Sequence, residues 1–459
     1  MVARLVIAGT SSGVGKTTIT VGLVRALASR GLRVAAFKCG PDYLDPTYHA
    51  RAAGAPCHNL DGWMMGREAV AATFARATRG ADIALIEGVM GLHDGASPTG
   101  DEGSTAEIAR WLGAPVVLVC DASGMARSIA ALASGFAAFD PRIAIAGVIA
   151  NRIGSRSHLE ILRKATAAAA APRIVGGLPV DAALAFPERH LGLRTADRDA
   201  VPDALFDAWG ARVAEWLDLD ALLAAARGAS SIGEPGQTGA QVATAAPICR
   251  IGLASDEAFH FYYDDNLRRL EQLGAELVRF SPIRDARLPP VDGLYFGGGY
   301  PEVHAEALAA NAGMRAGIAA FAQARGPIYA ECGGLMYLAS AITTLDGRRH
   351  EMVGIVAGEV EMRDRLVALG YVEVETQEPT LLGGPGLRFR GHQFRYSELQ
   401  LTGPVDQVYT VRRRRGGDVV REGYRIGSTL ASYVHAHWAS NPLAARGFVA
   451  ACAAHRGPP

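Results

Sequence analysis

Apolar residues in the first 180 positions fall in short unbroken runs, at 5–8, 34–37, 83–86, 116–120, 143–149 and 174–178. Amphipathic helical stretches separate them. Strands buried on both faces read as continuous rather than alternating apolar runs, so this pattern predicts a parallel sheet covered by helices. Residues 203–227, rich in Ala and Leu, predict a helix. From 228 to 247 the chain turns to Gly, Ser and Ala, the composition of a linker.

A second α/β pattern opens at residues 250–254. A strand at 276–280, the run 293–297, a helix at 302–324 and a strand leading into Cys332 follow. Residues 352–430 then read as strands and turns, with strands at 353–360, 366–374 and 408–411. The expectation is two α/β domains, residues 1–227 and 248–459, joined by the linker at 228–247.

Length and charge narrow the picture. A chain of 459 residues suits two or three domains, each with its own core. Formal net charge is zero, so no global field recruits nucleic acid or an acidic membrane. The six cysteines are scattered without a C-x-x-C pair, which argues for reduced thiols rather than a disulfide framework or a zinc site. No apolar run approaches the roughly 18 residues of a membrane span. The opening run, residues 1–8, is too short for a signal peptide. A cytoplasmic protein is expected.

Residues 9–18 read Gly-Thr-Ser-Ser-Gly-Val-Gly-Lys-Thr-Thr, between a strand and a helix. Gly15-Lys16-Thr17 matches the second half of G-x-x-x-x-G-K-[ST], whose first glycine is displaced here, since position 10 is Thr. Such a loop cradles phosphates with backbone N–H groups, neutralises them with lysine and offers a hydroxyl to Mg²⁺. ATP-binding residues are expected at Thr10, Gly13, Val14, Gly15, Lys16, Thr17 and Thr18. Asn151, closing a strand, is placed to read a base edge or to cap a turn. For Mg²⁺ the candidates are Thr17, Glu87 and Asp45, the acids lying after buried strands where α/β sheets place ligands. Asp42, Tyr43 and Asp94 are candidate substrate contacts. A turn-capping role is open for Asp42 and Asp45, and a tight turn for His93-Asp94.

Residues 328–334 read Ile-Tyr-Ala-Glu-Cys-Gly-Gly, a strand breaking into small residues with a thiol on the corner. Such an elbow is expected to expose the sulfur of Cys332, with the following helix N-terminus lowering its pKa. His435 and His437, in Tyr-Val-His-Ala-His-Trp, are candidates to relay protons. Backbone N–H groups of Gly298 and Gly299, in Phe-Gly-Gly-Gly-Tyr-Pro, and of Gly333 would stabilise an oxyanion. Arg412 to Arg415 reads as a solvated hairpin face, and His392 as a packed strand histidine.

These motifs carry resemblances. Glu-Cys-Gly-Gly, the Gly-Gly-Gly-Tyr-Pro-Glu turn and the late His resemble a class I glutamine amidotransferase domain. The phosphate loop with Glu87-Gly88 resembles dethiobiotin-synthetase-like ATPases. In this order, with residues 186–193 (Phe-Pro-Glu-Arg-His-Leu-Gly-Leu) and 256–263 (Asp-Glu-Ala-Phe-His-Phe-Tyr-Tyr), the whole chain resembles the cobyrinic or hydrogenobyrinic acid a,c-diamide synthase family. The resemblance implies that Cys332 hydrolyses glutamine through a thioester. It also implies that ATP–Mg²⁺ converts the c and then the a acetate of a corrin macrocycle to acyl phosphates for ammonia to attack. The implied partners are a corrin polycarboxylate and L-glutamine, with no nucleic acid and no membrane; a homo-oligomer is left open. The usual triad of the wider amidotransferase class ends His-x-Glu, whereas this chain has His435-Ala436-His437, so a Cys332–His435 dyad is expected, with His437 in the Glu place. Cobyric acid synthases share the plan and amidate other corrin side chains, but the motifs at 186–193 and 256–263 favour the a,c enzyme. Partition-type ATPases carry a lysine where this chain has Ser11 and lack a thiol domain. CTP-synthase-like enzymes have a different phosphate loop and an intact His-x-Glu.

Overall fold

Residues 2–181, 188–189, 192–193, 201–231, 247–414 and 416–456 are described by a computed structural model. The chain divides into two units, Met1–Thr238 and Gly239–Pro459. The motif at 186–193 lies outside the described residues, apart from two-residue strands at Glu188–Arg189 and Gly192–Leu193, and so does Arg415.

In the first unit, seven strands form one sheet in the order Cys57–Leu60, Val34–Cys39, Ile83–Gly91, Ala3–Gly9, Val116–Asp121, Ile145–Ile153 and Ile174–Pro179. Every pairing is parallel, as the unbroken apolar runs predict. Cys57–Leu60 is a strand the pattern did not announce; its burial is partial and it lies at the sheet edge. The helix Lys16–Ser29 follows the phosphate loop directly. A Cβ on its Gly22 would meet Trp209 O at 2.9 Å, so the helix Asp203–Trp216 packs backbone to backbone against it. Phe206, Trp209 and Tyr48 seal that contact. Burying one such side chain contributes about 1.5–3 kcal/mol, which fixes the helix that presents Lys16 and Thr17.

Residues 203–227 form two helices, not one. Asp218 breaks the run by accepting the Ala221 N–H at 2.9 Å as the N-cap of Leu219–Arg227. The expected helix at 302–324 is likewise split into Ala305–Ala310 and Ala312–Gln323, where Asn311 caps the second by accepting the Met314 N–H.

The second unit is built on ten strands in the order Ala275–Phe280, Cys249–Ala254, Gly293–Phe296, Ile328–Glu331, Thr429–Ser432, Val420–Ile426, Asp406–Arg413, Ala368–Thr376, Arg388–Arg395 and His435–His437. The first five are parallel and the rest antiparallel. A four-stranded sheet holds Arg349–Glu351, Ala339–Thr343, Val356–Met362 and Ser397–Leu401. Cys332 ends a central parallel strand, while His435–His437 forms the outermost strand of the sheet. No helix among the described residues is long and apolar enough to cross a membrane.

Candidate active sites

Gly13 and Gly15 hold φ of 74° and 92°, the left-handed region where a side chain is strained, so the loop turns sharply onto the helix at Lys16. Lys16 folds back over the loop and donates from Nζ to Ser11 O at 3.0 Å. Burial lowers its pKa, with Lys38 adding repulsion. Thr10 is fixed by donating its N–H to Val119 O, and Thr18 lies on the helix. The Asn151 amide donates to Val14 O at 2.8 Å and packs against Gly15. Its amide nitrogen therefore clasps the loop. Arg152 clasps it too, donating to Gly13 O at 3.0 Å.

Thr17 donates from Oγ1 to Glu87 Oε1 at 2.7 Å and lies 3.2 Å from Asp45 Oδ2. The three expected magnesium ligands thus converge. Lys38, which the sequence reading passed over, bridges the two acids, its Nζ 2.6 Å from Asp45 and 2.8 Å from Glu87. Buried His49 pairs with the other oxygen of Glu87. Burial alone would raise the Glu87 carboxyl, but Lys38 and His49 hold it below its ordinary value. The donor set fits Mg²⁺, a hard cation usually held by one or two carboxylates together with substrate phosphates. Among the described residues no group of three or more His, Cys, Asp or Glu forms a self-sufficient metal cage.

Two of the candidate substrate residues, Asp42 and Asp94, also serve the local fold. Asp42 accepts the N–H groups of Leu44 and Asp45, capping the helix Asp45–Ala53, with Tyr43 next to it in the loop. Asp94 accepts the Gly91 N–H at 2.9 Å, which makes it a turn former; it also lies close enough to Lys16 to oppose the fall in that pKa.

In the second unit, Cys332 holds φ 46°, ψ −99°, an uncommon conformation for a residue with a side chain and a mark of a functional corner. The thiol is not exposed. Cys332 is 8% accessible, and burial pushes its pKa up to about 12 although Arg395 and the Gly333 N–H pull the other way. The expected net lowering is overturned, because desolvation of the buried thiol outweighs the pull of the Gly333 N–H at the start of the helix Gly333–Leu338.

Glycines bring the parts together. A Cβ on Gly333 would lie 3.0 Å from Gly299 N, and one on Gly298 would overlap the His435 ring at Cε1, with both ring nitrogens 3.3 Å away. Elbow, glycine turn and imidazole therefore share one locality. The N–H of Gly298 donates to Phe261 O at 3.3 Å, which removes it from the oxyanion set and leaves Gly299 and Gly333. His435 and His437 point to the same face of their strand. His435 stacks on His392 with centroids 4.9 Å apart, and His392 is the packed strand histidine expected. The His437 ring lies against Tyr263, and its Nδ1 accepts the Ala439 N–H. Burial drives His435 down to about 3 and His437 to about 4, so both are neutral near pH 7.

Arg412, Arg413 and Arg414 are exposed, as expected of a solvated face. Two buried carboxylates went unnoticed in the sequence. Glu331 precedes the thiol, and Glu422 accepts the Tyr433 N–H and bonds from Gln393 and Ser432. An acid isolated within an apolar run was the available signal for Glu331.

A phosphate loop with converging carboxylates, joined in one chain to a strained thiol elbow beside a buried imidazole, defines a nucleotide-binding domain fused to a glutamine amidotransferase domain. Residues 5–193 match the family model of the CobQ/CobB/MinD/ParA nucleotide binding domain, and residues 250–443 that of the CobB/CobQ-like glutamine amidotransferase domain. Proteins named cobyrinate a,c-diamide synthase are similar over almost the full length. That of Leptospira interrogans is 51% identical over 98% of both chains, that of Syntrophotalea carbinolica 50% over 98% of both, and that of Dehalococcoides mccartyi 45% over 97% of both. The chain belongs to the cobyrinate a,c-diamide synthase family. A solved glutamine amidotransferase covers 44% of this chain and 98% of its own at 20% identity; its TM-score of 0.33 carries no argument.

Proposed function

We propose that this chain is a cytoplasmic ligase that amidates the a and c acetate carboxylates of a corrin macrocycle at the expense of ATP and glutamine, in cobalamin biosynthesis. The meeting of Thr17, Asp45 and Glu87 at the mouth of the phosphate loop carries the synthetase half. A carboxylate is a poor acyl donor. Its oxygen attacks the γ-phosphorus of ATP, ADP leaves, and the resulting acyl phosphate has a leaving group. Lys16 offsets charge on the transferring phosphoryl group, while Thr17, Asp45 and Glu87 would hold Mg²⁺, which neutralises phosphate charge when bound.

The other half supplies nitrogen. With the Cys332 thiol pushed up to about 12, attack requires proton transfer to an imidazole as the sulfur reaches the glutamine carbonyl, and His435 is the base. The N–H groups of Gly299 and Gly333 hold the oxyanion. His435 returns the proton to the departing nitrogen, ammonia leaves, and water cleaves the thioester to glutamate. Ammonia then attacks the acyl phosphate, and inorganic phosphate and a proton depart.

Incubation with ATP, Mg²⁺, glutamine and either cobyrinic or hydrogenobyrinic acid tests the reading by mass spectrometry. Two added amides on one macrocycle are expected. Addition of four amides would point instead to cobyric-acid-type chemistry, and none with either ring would refute the proposal.

A further inference from the structure

His435–His437 is the outermost strand of its sheet and yet is fully buried. One edge is laddered to Arg388–Arg395, where His392 lies opposite His435 and Arg390 opposite His437. Among the described residues the other edge faces no strand, and a buried backbone cannot leave its polar groups unsatisfied. Side chains complete it. Asn266 donates from Nδ2 to Ala436 O at 2.7 Å and accepts the Trp438 N–H at 2.8 Å. The Ala436 N–H, on the peptide joining it to His435, donates to Glu331 Oε1 at 3.0 Å.

Glu331 is bonded to Cys332, the candidate nucleophile. Besides Ala436 it accepts the Tyr329 hydroxyl at 2.9 Å and the Tyr295 hydroxyl at 3.1 Å. Three donors and no cation surround this 1% exposed side chain. Such a shell of donors suits a side chain whose two oxygens can both accept. One side chain therefore grips the residue before the thiol and the peptide after the imidazole.

The geometry points to Glu331 as a positioning residue for glutamine hydrolysis, doing through the backbone of Ala436 what an orienting acid at His437 would do through the imidazole. The inference rests on the reading of Cys332 and His435 as a glutaminase pair. It goes beyond that reading by assigning the carboxylate their dyad lacks. Glu331→Leu removes both acceptor oxygens, so the Ala436 N–H loses its partner and the strand shifts; Glu331→Gln is the conservative control, because its Oε1 can still accept from Ala436 and Tyr329 while its amide donates to the Tyr295 hydroxyl.

The test measures glutamate release without macrocycle, and ammonium-driven amidation of cobyrinic acid, on one preparation. For Glu331→Leu, kcat for glutamate release is expected to fall about tenfold or more, with Glu331→Gln retaining most of the wild-type value. The KM for glutamine should hold within about twofold, and ammonium-driven amidation should keep the wild-type rate. A folded Glu331→Leu variant with wild-type kcat overturns the inference, as does equal loss of both activities, which marks a structural role only. If Glu331→Leu does not fold, Tyr329→Phe, which removes one of the three donors, decides on the same two criteria with a smaller fall in kcat. Failure of the wild-type protein to release glutamate would strike the glutaminase reading itself.

Discussion

Gly298→Ala is the sharpest probe of how the second site is assembled. The new methyl would fall inside the His435 ring at Cε1, with Nδ1 and Nε2 each 3.3 Å away, below the 3.4 Å at which ordinary contact begins. Gly298 cannot retreat freely, because its carbonyl accepts the N–H groups of His260 and Phe261 and its own N–H is held by Phe261 O. The imidazole must yield instead, and His392 is stacked on it at 4.9 Å. A displacement on the order of 1 Å at a reacting group costs about 10²-fold in rate. That loss corresponds to about 2.7 kcal/mol in activation free energy. Steady-state glutamate release should show it, while ammonium-driven amidation, which bypasses the imidazole, stays at the wild-type rate. Wild-type glutaminase activity in the folded variant would refute the placement of His435 as the base.

Two further outcomes follow from the same geometry. Lys16→Ala should cut amidation by at least about 10²-fold with either glutamine or ammonium, because charge stabilisation at the phosphoryl group is lost, and should leave glutamine hydrolysis standing; ammonium-driven product at the wild-type rate would show that the loop is not the synthetase site. His437→Gln should change the pH dependence of stability. The buried imidazole titrates at about 4 in the fold, against about 6.5 when unfolded, so the unfolded chain binds the extra proton in that window and the fold weakens as pH falls from about 6.5 toward 4. Glu331, raised by burial to about 7, acts in the opposite sense in both proteins, so the difference isolates His437. Melting temperatures from pH 7 to 4 should fall less steeply in the variant, and identical slopes would contradict the assignment.

Much of this was legible in the chain. Unbroken apolar runs dictate a doubly covered parallel sheet, and the thiol corner and phosphate loop announce themselves by bare glycines between an apolar strand and a helix. Local caps were harder. Asp218 and Asn311 each end one helix and start another within a continuous helical composition. The strand Arg388–Arg395 reads Arg-Phe-Arg-Gly-His-Gln-Phe-Arg, whose charges conceal a strand in the antiparallel half of the sheet. Lys38, His49 and Glu331 escaped because their roles come from what tertiary structure brings to them. Lys38 meets two acids that come from other segments, and Glu331 meets a peptide 105 residues away. The state of Cys332 was misread because local sequence reveals the corner but not how deeply the rest of the unit buries it.

The central claim is that a thiol pocket makes ammonia for a separate phosphorylating site, and Cys332→Ala addresses it directly. With ATP, Mg²⁺ and cobyrinic acid, this variant should form no amide from glutamine and form it at the wild-type rate from ammonium chloride. Undiminished amidation from glutamine, or loss of the ammonium-driven reaction as well, would contradict the account.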